Sequence, residues 1–377
     1  VLFVQTAEGA AGGGTVYADV QNYFVASSAF SDTQKSQLEK KILEMWDGHK
    51  TEIDITSLEI TVNNNTAVRT YYLNMVHLNP RYFYVDTVVE SATMGNIIVS
   101  IKATYSESAS GAKKKLKKFD AAAKTALSGV NSSWSEIEKA LYLHDYLCSN
   151  CAYDQTLKKH TAYDALVSKK AICQGYALAY VYLLDKVGIK SQIVESRSID
   201  HAWNLVRIGG KYYNVDVTWD DPTSDMMGRA CHTFFLQSTA SFQKDGRHYA
   251  ANDWAVHGDW STSKATSKTY DKYFWKNVQT SFNYVKGYWY AYNDKNHYVC
   301  RYTCNGKTMK QKKKLVAIKD KWYVWDGSGY YYGTKFTKVC GYGKYIYYST
   351  PKAIYRLDVK KNKSKKIYTL TKSKAKK

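Results

Sequence analysis

The chain has 377 residues, 45% of them hydrophobic and 15% aromatic, with no run of eighteen apolar residues, which excludes a disordered chain and predicts no membrane-spanning helix. At this length two or three cores are expected rather than one. The net charge of +21 is concentrated: residues 261–377 hold 26 Lys and 2 Arg against 5 Asp and no Glu, a local balance of +23, so the first 260 residues sum to −2.

Residues 1–18 are rich in Gly and Ala behind a short apolar head, and they read as the flexible remnant of a secretory leader, which places the protein outside the cell or on its surface. SDTQKSQLEKKILEMWDG predicts a helix with Ser31 or Asp32 as N-cap, Leu38, Ile42 and Met45 on one stripe, and Gly48 as its stop. From Glu52 the period changes to two: Ile53 and Ile55, then Leu58, Ile60 and Val62, then parts of RTYYLNMVHL and NIIVSIKATY, all predicted as strands. Residues 19–110 therefore form a predicted α+β domain. KKKLKKFDAAAKTALSGV is a basic helix, and SSWSEIEKALYLHDYLCSN is a second one with a capping box from Ser133 to Glu136. On it His144 and Asp145 project about 100° apart, which predicts that they do not pair with each other and that His144 is structural.

AICQGYALAYVYLLDKVG predicts a buried helix with Cys173 in its first turn. There the helix dipole favours a thiolate, the backbone N–H groups can stabilise an oxyanion, and Gly175 permits close approach of a substrate or of backbone. Downstream, HAWNLVRIGGKYYNVDVTWDD reads as two strands joined by a Gly209-Gly210 turn. With Ile208 opposite Lys211, His201 falls opposite Thr218, and Asp216 lies one diagonal away on the same face, in reach of the imidazole. Asp200 projects to the other face, and Asp220 competes from the other diagonal. Trp203 shares the His201 face and walls the site, whereas Trp219 is predicted to point away.

These two segments, with the lead-in YLHDYLCSNCAYD and HTAYDALVSKKA, resemble the transglutaminase-like superfamily of papain-type cysteine enzymes over about residues 130–260. The resemblance rests on a Cys at a helix start, a His before Ala-Trp on a strand, and an Asp in a V-D-x-T-W run. It implies Cys173 as nucleophile, His201 as general base and acid, and Asp216 as the residue that orients the imidazole. Tyr153 and Tyr163 are the candidates for a second oxyanion donor. The superfamily includes transglutaminases, peptidases, amidases and inactive relatives. No cofactor and no metal are expected, since the spaced cysteine pairs lie in different predicted domains and no His completes a zinc spacing.

The seven cysteines are odd in number. Cys148 with Cys151, and Cys300 with Cys304 or either with Cys340, are the expected bridges, with Cys173 the free thiol. Residues 263–377 carry turn-plus-aromatic segments (KGYWYAYN, DKWYVWDG, GKYIYYST), and HYVCRYTCNGKTMKQKKKL aligns with KAIYRLDVKKNKSKKIYTL, Arg301 matching Arg356. This predicts an all-β repeat domain, with KSKAKK as a solvated tail. The expected fold class is thus α+β throughout 19–110, a papain-like core with a helix-mounted Cys on an antiparallel sheet in 111–262, and all-β repeats in 263–377. The expected function is cysteine-dependent acyl transfer on amide bonds of a protein or peptide substrate, hydrolysis favoured over cross-linking. The cationic third would bind an anionic cell-wall or surface polymer, and nucleic acid is disfavoured because Lys so outnumbers Arg. The rival reading is a non-catalytic binding or scaffold protein on the same platform.

Overall fold

The structure is a computed structural model that describes residues 29–223, 229–245, 248, 253–260, 263–325 and 331–371. The predicted leader at 1–18 and the KSKAKK tail lie outside the described residues.

Helix α1 (Asp32–Asp47) is capped by Ser31 in a capping box with Gln34, and its apolar stripe Leu38, Ile42, Met45 and Trp46 is buried. Strand β1 (Glu52–Asp54) follows, and the stretch containing Leu58 and Ile60 runs through two short 3₁₀ turns rather than a strand. RTYYLNMVHL, predicted as a strand, is part of helix α2 (Asn65–Leu78). Its buried residues Val68, Tyr72, Met75 and Val76 fall at i, i+4, i+7 and i+8, a helical stripe that the neighbouring β-formers Tyr71 and Tyr72 disguise. Strands β2 (Val85–Met94) and β3 (Ile97–Tyr105) complete an antiparallel sheet of order β1-β3-β2, and one core binds α1, α2 and this sheet.

Helix α3 (Ala109–Ser128) leads to helix α4 (Glu136–Asn150). The capping box of α4 uses Ser135 and Glu138, two residues later than predicted. Ser133 is taken instead by a local turn, where its N–H and hydroxyl both donate to Asn131 Oδ1 at 2.9 and 2.8 Å. Strands β4 (Ala152–Tyr153) and β5 (Lys170–Ala171) form a short parallel pair that delivers the chain to helix α5 (Cys173–Lys186). Strands β6 (Ser191–Ser196), β7 (His201–Ile208) and β8 (Lys211–Val215), the short helices α6 (Val217–Asp220) and α7 (Thr239–Lys244), and strand β9 (Trp254–Val256) follow. The antiparallel sheet has order β8-β7-β6-β9, and α5 packs on it with α4 behind. The helix-mounted cysteine on an antiparallel sheet is therefore present, in a mixed helix-and-sheet fold.

The remaining strands are all antiparallel: a four-stranded meander β10 (Asn283–Val285), β11 (Tyr288–Asn293), β12 (Tyr298–Cys304) and β13 (Met309–Ala317); a hairpin β14 (Lys321–Trp325) and β15 (Tyr331–Lys335); and a second meander β16 (Val339–Tyr342), β17 (Tyr345–Ser349), β18 (Ala353–Asp358) and β19 (Lys363–Thr369). Arg301 and Arg356 occupy the third strand of each meander, and each guanidinium lies over a tyrosine of the preceding strand, Tyr288 at 4.6 Å and Tyr345 at 4.3 Å. The first meander shares its core with the helices: Trp289, Cys300, Tyr302 and Met309 join the cluster built on α4 and α5, and Trp289 Nε1 donates to Glu138 Oε1 at 2.8 Å.

All seven cysteines are free thiols, which corrects the expected bridges. Cys148 Sγ faces the Val217 carbonyl at 3.6 Å, while Cys151 sits just past the helix in extended backbone and turns toward its own neighbour's carbonyl. Cys300 and Cys304 share strand β12, where four residues span about 13 Å, beyond the reach of a disulfide.

Candidate active site

Ile172 in extended conformation ends β5 and opens α5, so Cys173 is the first helical residue, buried at 2% exposure. Its place leaves first-turn N–H groups beside the thiol. Gly175 serves backbone packing: a Cβ there would lie 2.7 Å from Ala171 Cβ and 2.9 Å from the Thr161 carbonyl. Gly175→Ala is expected to lower stability by about 1–3 kcal/mol through overpacking, read as a fall in denaturant midpoint; an unchanged midpoint refutes the close packing.

The hairpin has the predicted register, from Ile208 opposite Lys211 to Asn204 opposite Val215, with Gly209 and Gly210 at φ +55° and +77° in the turn. Pairing stops at Val215. Asp216 is the N-cap of α6, and its Oδ1 accepts the Trp219 N–H at 3.0 Å, so the predicted His201–Thr218 pair does not form. The cap nonetheless presents Oδ2 to His201, whose Nε2 donates to it at 2.6 Å. That bond leaves Nδ1 for Cys173. The helical turn also rotates Trp219 onto the site, against the parity expectation: its ring stacks on His201 at 4.2 Å between centroids and 11° between planes. Trp203, on the same strand face as His201, is fully buried, lies 5.8 Å from the imidazole and donates from Nε1 to Asn214 Oδ1.

Burial of His201 works against its charge, but the Asp216 carboxylate, by charge and hydrogen bond, and then the Cys173 sulfur outweigh it and raise the imidazole to about 10. Asp216 is buried too, and the positive imidazole holds it well below the usual carboxylate range. The arrangement therefore favours an imidazolium between a carboxylate and a sulfur.

Tyr153 is half-buried on β4, opposite Ala171 and close enough for Cys173 to act electrostatically on its hydroxyl. Tyr163 is placed elsewhere: its ring packs against Phe83 at 4.8 Å and lies beneath the Lys115 ammonium, facing α3. Asp220, the competitor from the sequence, turns the other way and takes His144 Nε2 at 3.1 Å.

Sequence reasoning missed His248. It is buried, and its Nε2 donates to the same Asp216 oxygen at 2.9 Å, with its ring stacked on Phe242. A lone histidine in DGRHYA carries no spacing signal, so only the tertiary fold reveals it. Sequence reasoning also misread His144 and Asp145, which do hydrogen-bond, Nδ1 to Oδ1 at 2.9 Å. A 100° separation of Cα–Cβ vectors is closed by two side chains that bend toward each other while each also holds partners of its own on later segments. His144 lies between Asp145 and Asp220, and Asp145 also accepts His232 Nε2 at 2.8 Å and the Phe282 N–H at 2.7 Å.

Among the described residues three groups bring His and carboxylate ligand atoms within 4.8 Å of one another: His201 with Asp216 and His248, His144 with Asp145 and His232, and His77 with Glu195 and His257. In the second, every ring nitrogen is committed, since His232 Nδ1 also donates to the Val278 carbonyl at 2.7 Å.

Residues 123–217 match the family model described as the transglutaminase-like superfamily. A search of curated proteins finds no match. Similar solved structures include a TGase (12% identity, TM-score 0.25, covering 38% of this chain and 47% of that one) and a proposed cysteine protease from Cytophaga hutchinsonii (14%, TM-score 0.22, 37% and 64%). A third is a proposed protease from Parabacteroides distasonis (14%, TM-score 0.21, 33% and 35%). The chain thus spans less than two thirds of the length of each of these three.

Proposed function

Residues 123–217 carry a core that matches the transglutaminase-like superfamily, and from that premise we propose that the chain is a papain-like, cysteine-dependent acyl-transfer enzyme acting on amide bonds of proteins or peptides. The observation that carries this reading is His201, held by Asp216 at 2.6 Å through Nε2 with Nδ1 left for Cys173 at the start of α5.

The Cys173 sulfur attacks the amide carbonyl carbon, and the carbonyl π electrons move to oxygen. The oxyanion is stabilised by first-turn N–H groups of α5, with the Tyr153 hydroxyl as the side-chain donor. As the C–N bond breaks, His201 gives its proton to the leaving amine and a thioester to Cys173 remains. Neutral His201 then takes a proton from water, or from an amine, as that nucleophile attacks the thioester and expels the thiolate. Asp216 keeps the imidazole in one tautomer and stabilises its charge throughout. Hydrolysis is the favoured outcome. Stacking by Trp219 fixes the ring plane and screens it from water.

The test incubates a mixture of glutamine-bearing peptides with the protein and with Cys173→Ala, with and without a primary amine, and reads the products by mass spectrometry. Cleavage, or conversion of a glutamine amide to a carboxylate, that depends on Cys173 supports hydrolysis, and amine-dependent mass gain marks a transferase. Identical spectra for the two proteins would favour the scaffold reading.

The lysines of β13 (Lys310, Lys312, Lys313, Lys314) and of β19 (Lys363, Lys365, Lys366) are exposed on strands at the edge of their sheets. Edge lysines discourage strand pairing between molecules, and they also suit an anionic polymer of a cell wall or surface, the exported setting that this reading includes. Retention on such a polymer is expected to fall steeply with salt; retention insensitive to salt counts against it. Among the described residues no helix is long and apolar enough to cross a membrane.

A further inference from the structure

We propose that His77, Glu195 and His257 form a site for a divalent transition metal, Zn²⁺ by its donor set, that fastens the N-terminal α+β unit to the sheet carrying His201. The three residues come from three elements. Glu195 is on β6, where it pairs with Ala255 of β9. The pairing continues one residue pair beyond the strand, since the His257 N–H donates to the Ile193 carbonyl at 2.9 Å, so His257 and Glu195 are diagonal neighbours on one face. His77 arrives from the last turn of α2, which packs on β6 from the N-terminal unit.

Their ligand atoms lie within 4.8 Å of one another, and His257 Nε2 is 2.9 Å from Glu195 Oε2. The two imidazoles meet edge to face at 4.4 Å between centroids, both nearly excluded from solvent. The second Glu195 oxygen, Oε1, is buried without a hydrogen-bond partner among the described residues. Two imidazoles and one carboxylate are a zinc donor set that leaves one position for water, and a hard-cation site would call for oxygen ligands instead. The metal would replace the 2.9 Å His–Glu contact with two metal–ligand bonds and supply a positive charge to a buried carboxylate. Ser196, the next residue on β6, pairs with His201, whereas Glu195 pairs with Ala202 on the other face, the one that α5 covers, so the metal ties α2 to β6 and β9.

The host for the test is the full chain carrying Cys173→Ala, which removes the one thiol able to bind zinc together with His201. Zinc content after equilibrium dialysis should be one ion per chain higher in this host than in the host with His257→Gln added. Glu195→Gln should weaken zinc by on the order of a hundredfold or more. His77→Gln tests the third ligand, and far-UV circular dichroism checks that each variant folds. Chelation with EDTA should lower the unfolding midpoint of the host and leave that of the His257→Gln and Glu195→Gln forms unmoved. Equal zinc content in the host, His257→Gln and Glu195→Gln overturns the site, as does a host midpoint indifferent to EDTA. Because Cys173 is absent from every sample, a failed peptide assay has no bearing on this result.

Discussion

Asp216→Asn is expected to lower kcat/KM by about 10³–10⁴-fold while the protein stays folded. The Asn side chain keeps an oxygen for the Trp219 N–H, so the cap that starts α6 survives. What is lost is the negative charge that His201 Nε2 and His248 Nε2 share at 2.6 and 2.9 Å. The pH profile gives a second readout. His201 is raised to about 10, so its charged form persists below that value and is lost as pH rises through it. If the His201 imidazolium supplies the proton to the leaving amine, as proposed, kcat/KM of the native protein should decline on the alkaline side near pH 10. In Asp216→Asn that limb should move to lower pH, because the principal group raising His201 is gone. An unshifted limb with near-normal activity would remove Asp216 from the mechanism.

The largest stability effect is expected at Asp145. This buried carboxylate accepts His144, His232 and the Phe282 N–H, joining α4 to the segment before the first meander. Asp145→Asn leaves two buried imidazoles facing a neutral amide and should cost about 3–5 kcal/mol. The network also sets a pH window. Burial opposes the charge of His144, but hydrogen bonds to Asp145 and Asp220 prevail and raise it to about 9, above an unfolded value near 6.5. Its contribution is therefore complete below about pH 6.5 and is lost as pH rises through 9. Asp145 runs the other way: its value is lowered, so its contribution holds above the ordinary carboxylate range and fades as pH falls below it. Denaturant midpoints measured from pH 6 to 10 should decline over that window, and His144→Gln should flatten the decline between 6.5 and 9. Parallel pH profiles for the two proteins would show that His144 is not the group responsible.

Much of the site was legible in the sequence because each of its parts is governed locally. Cys173 stands where an apolar helix must begin, and a Gly-Gly pair with positive φ admits a single tight register, so His201 and Asp216 had to come close. Parity failed one residue beyond that register. Asp216 bonds the Trp219 N–H, the strand ends, and the turn carries Trp219 onto the imidazole instead of away from it. RTYYLNMVHL failed for a related reason: β-formers give a weak alternation, and it is the core shared by α1 and the first sheet that selects the helix.

The sequence by itself determined the place of Cys173 at the start of an apolar helix, the hairpin register, the cationic and aromatic character of the last third, and the lack of an apolar run long enough to span a membrane. Periodicity and turn chemistry act over a few residues, and those features need nothing more. Tertiary structure alone decided that His248 shares Asp216, that the His144–Asp145 pair closes onto Asp220 and His232, that the first meander enters the helical core, and that His77 meets Glu195 and His257. Each of these joins residues tens to more than a hundred positions apart. Contacts of that kind follow from how finished elements pack, and no local pattern in the chain encodes them.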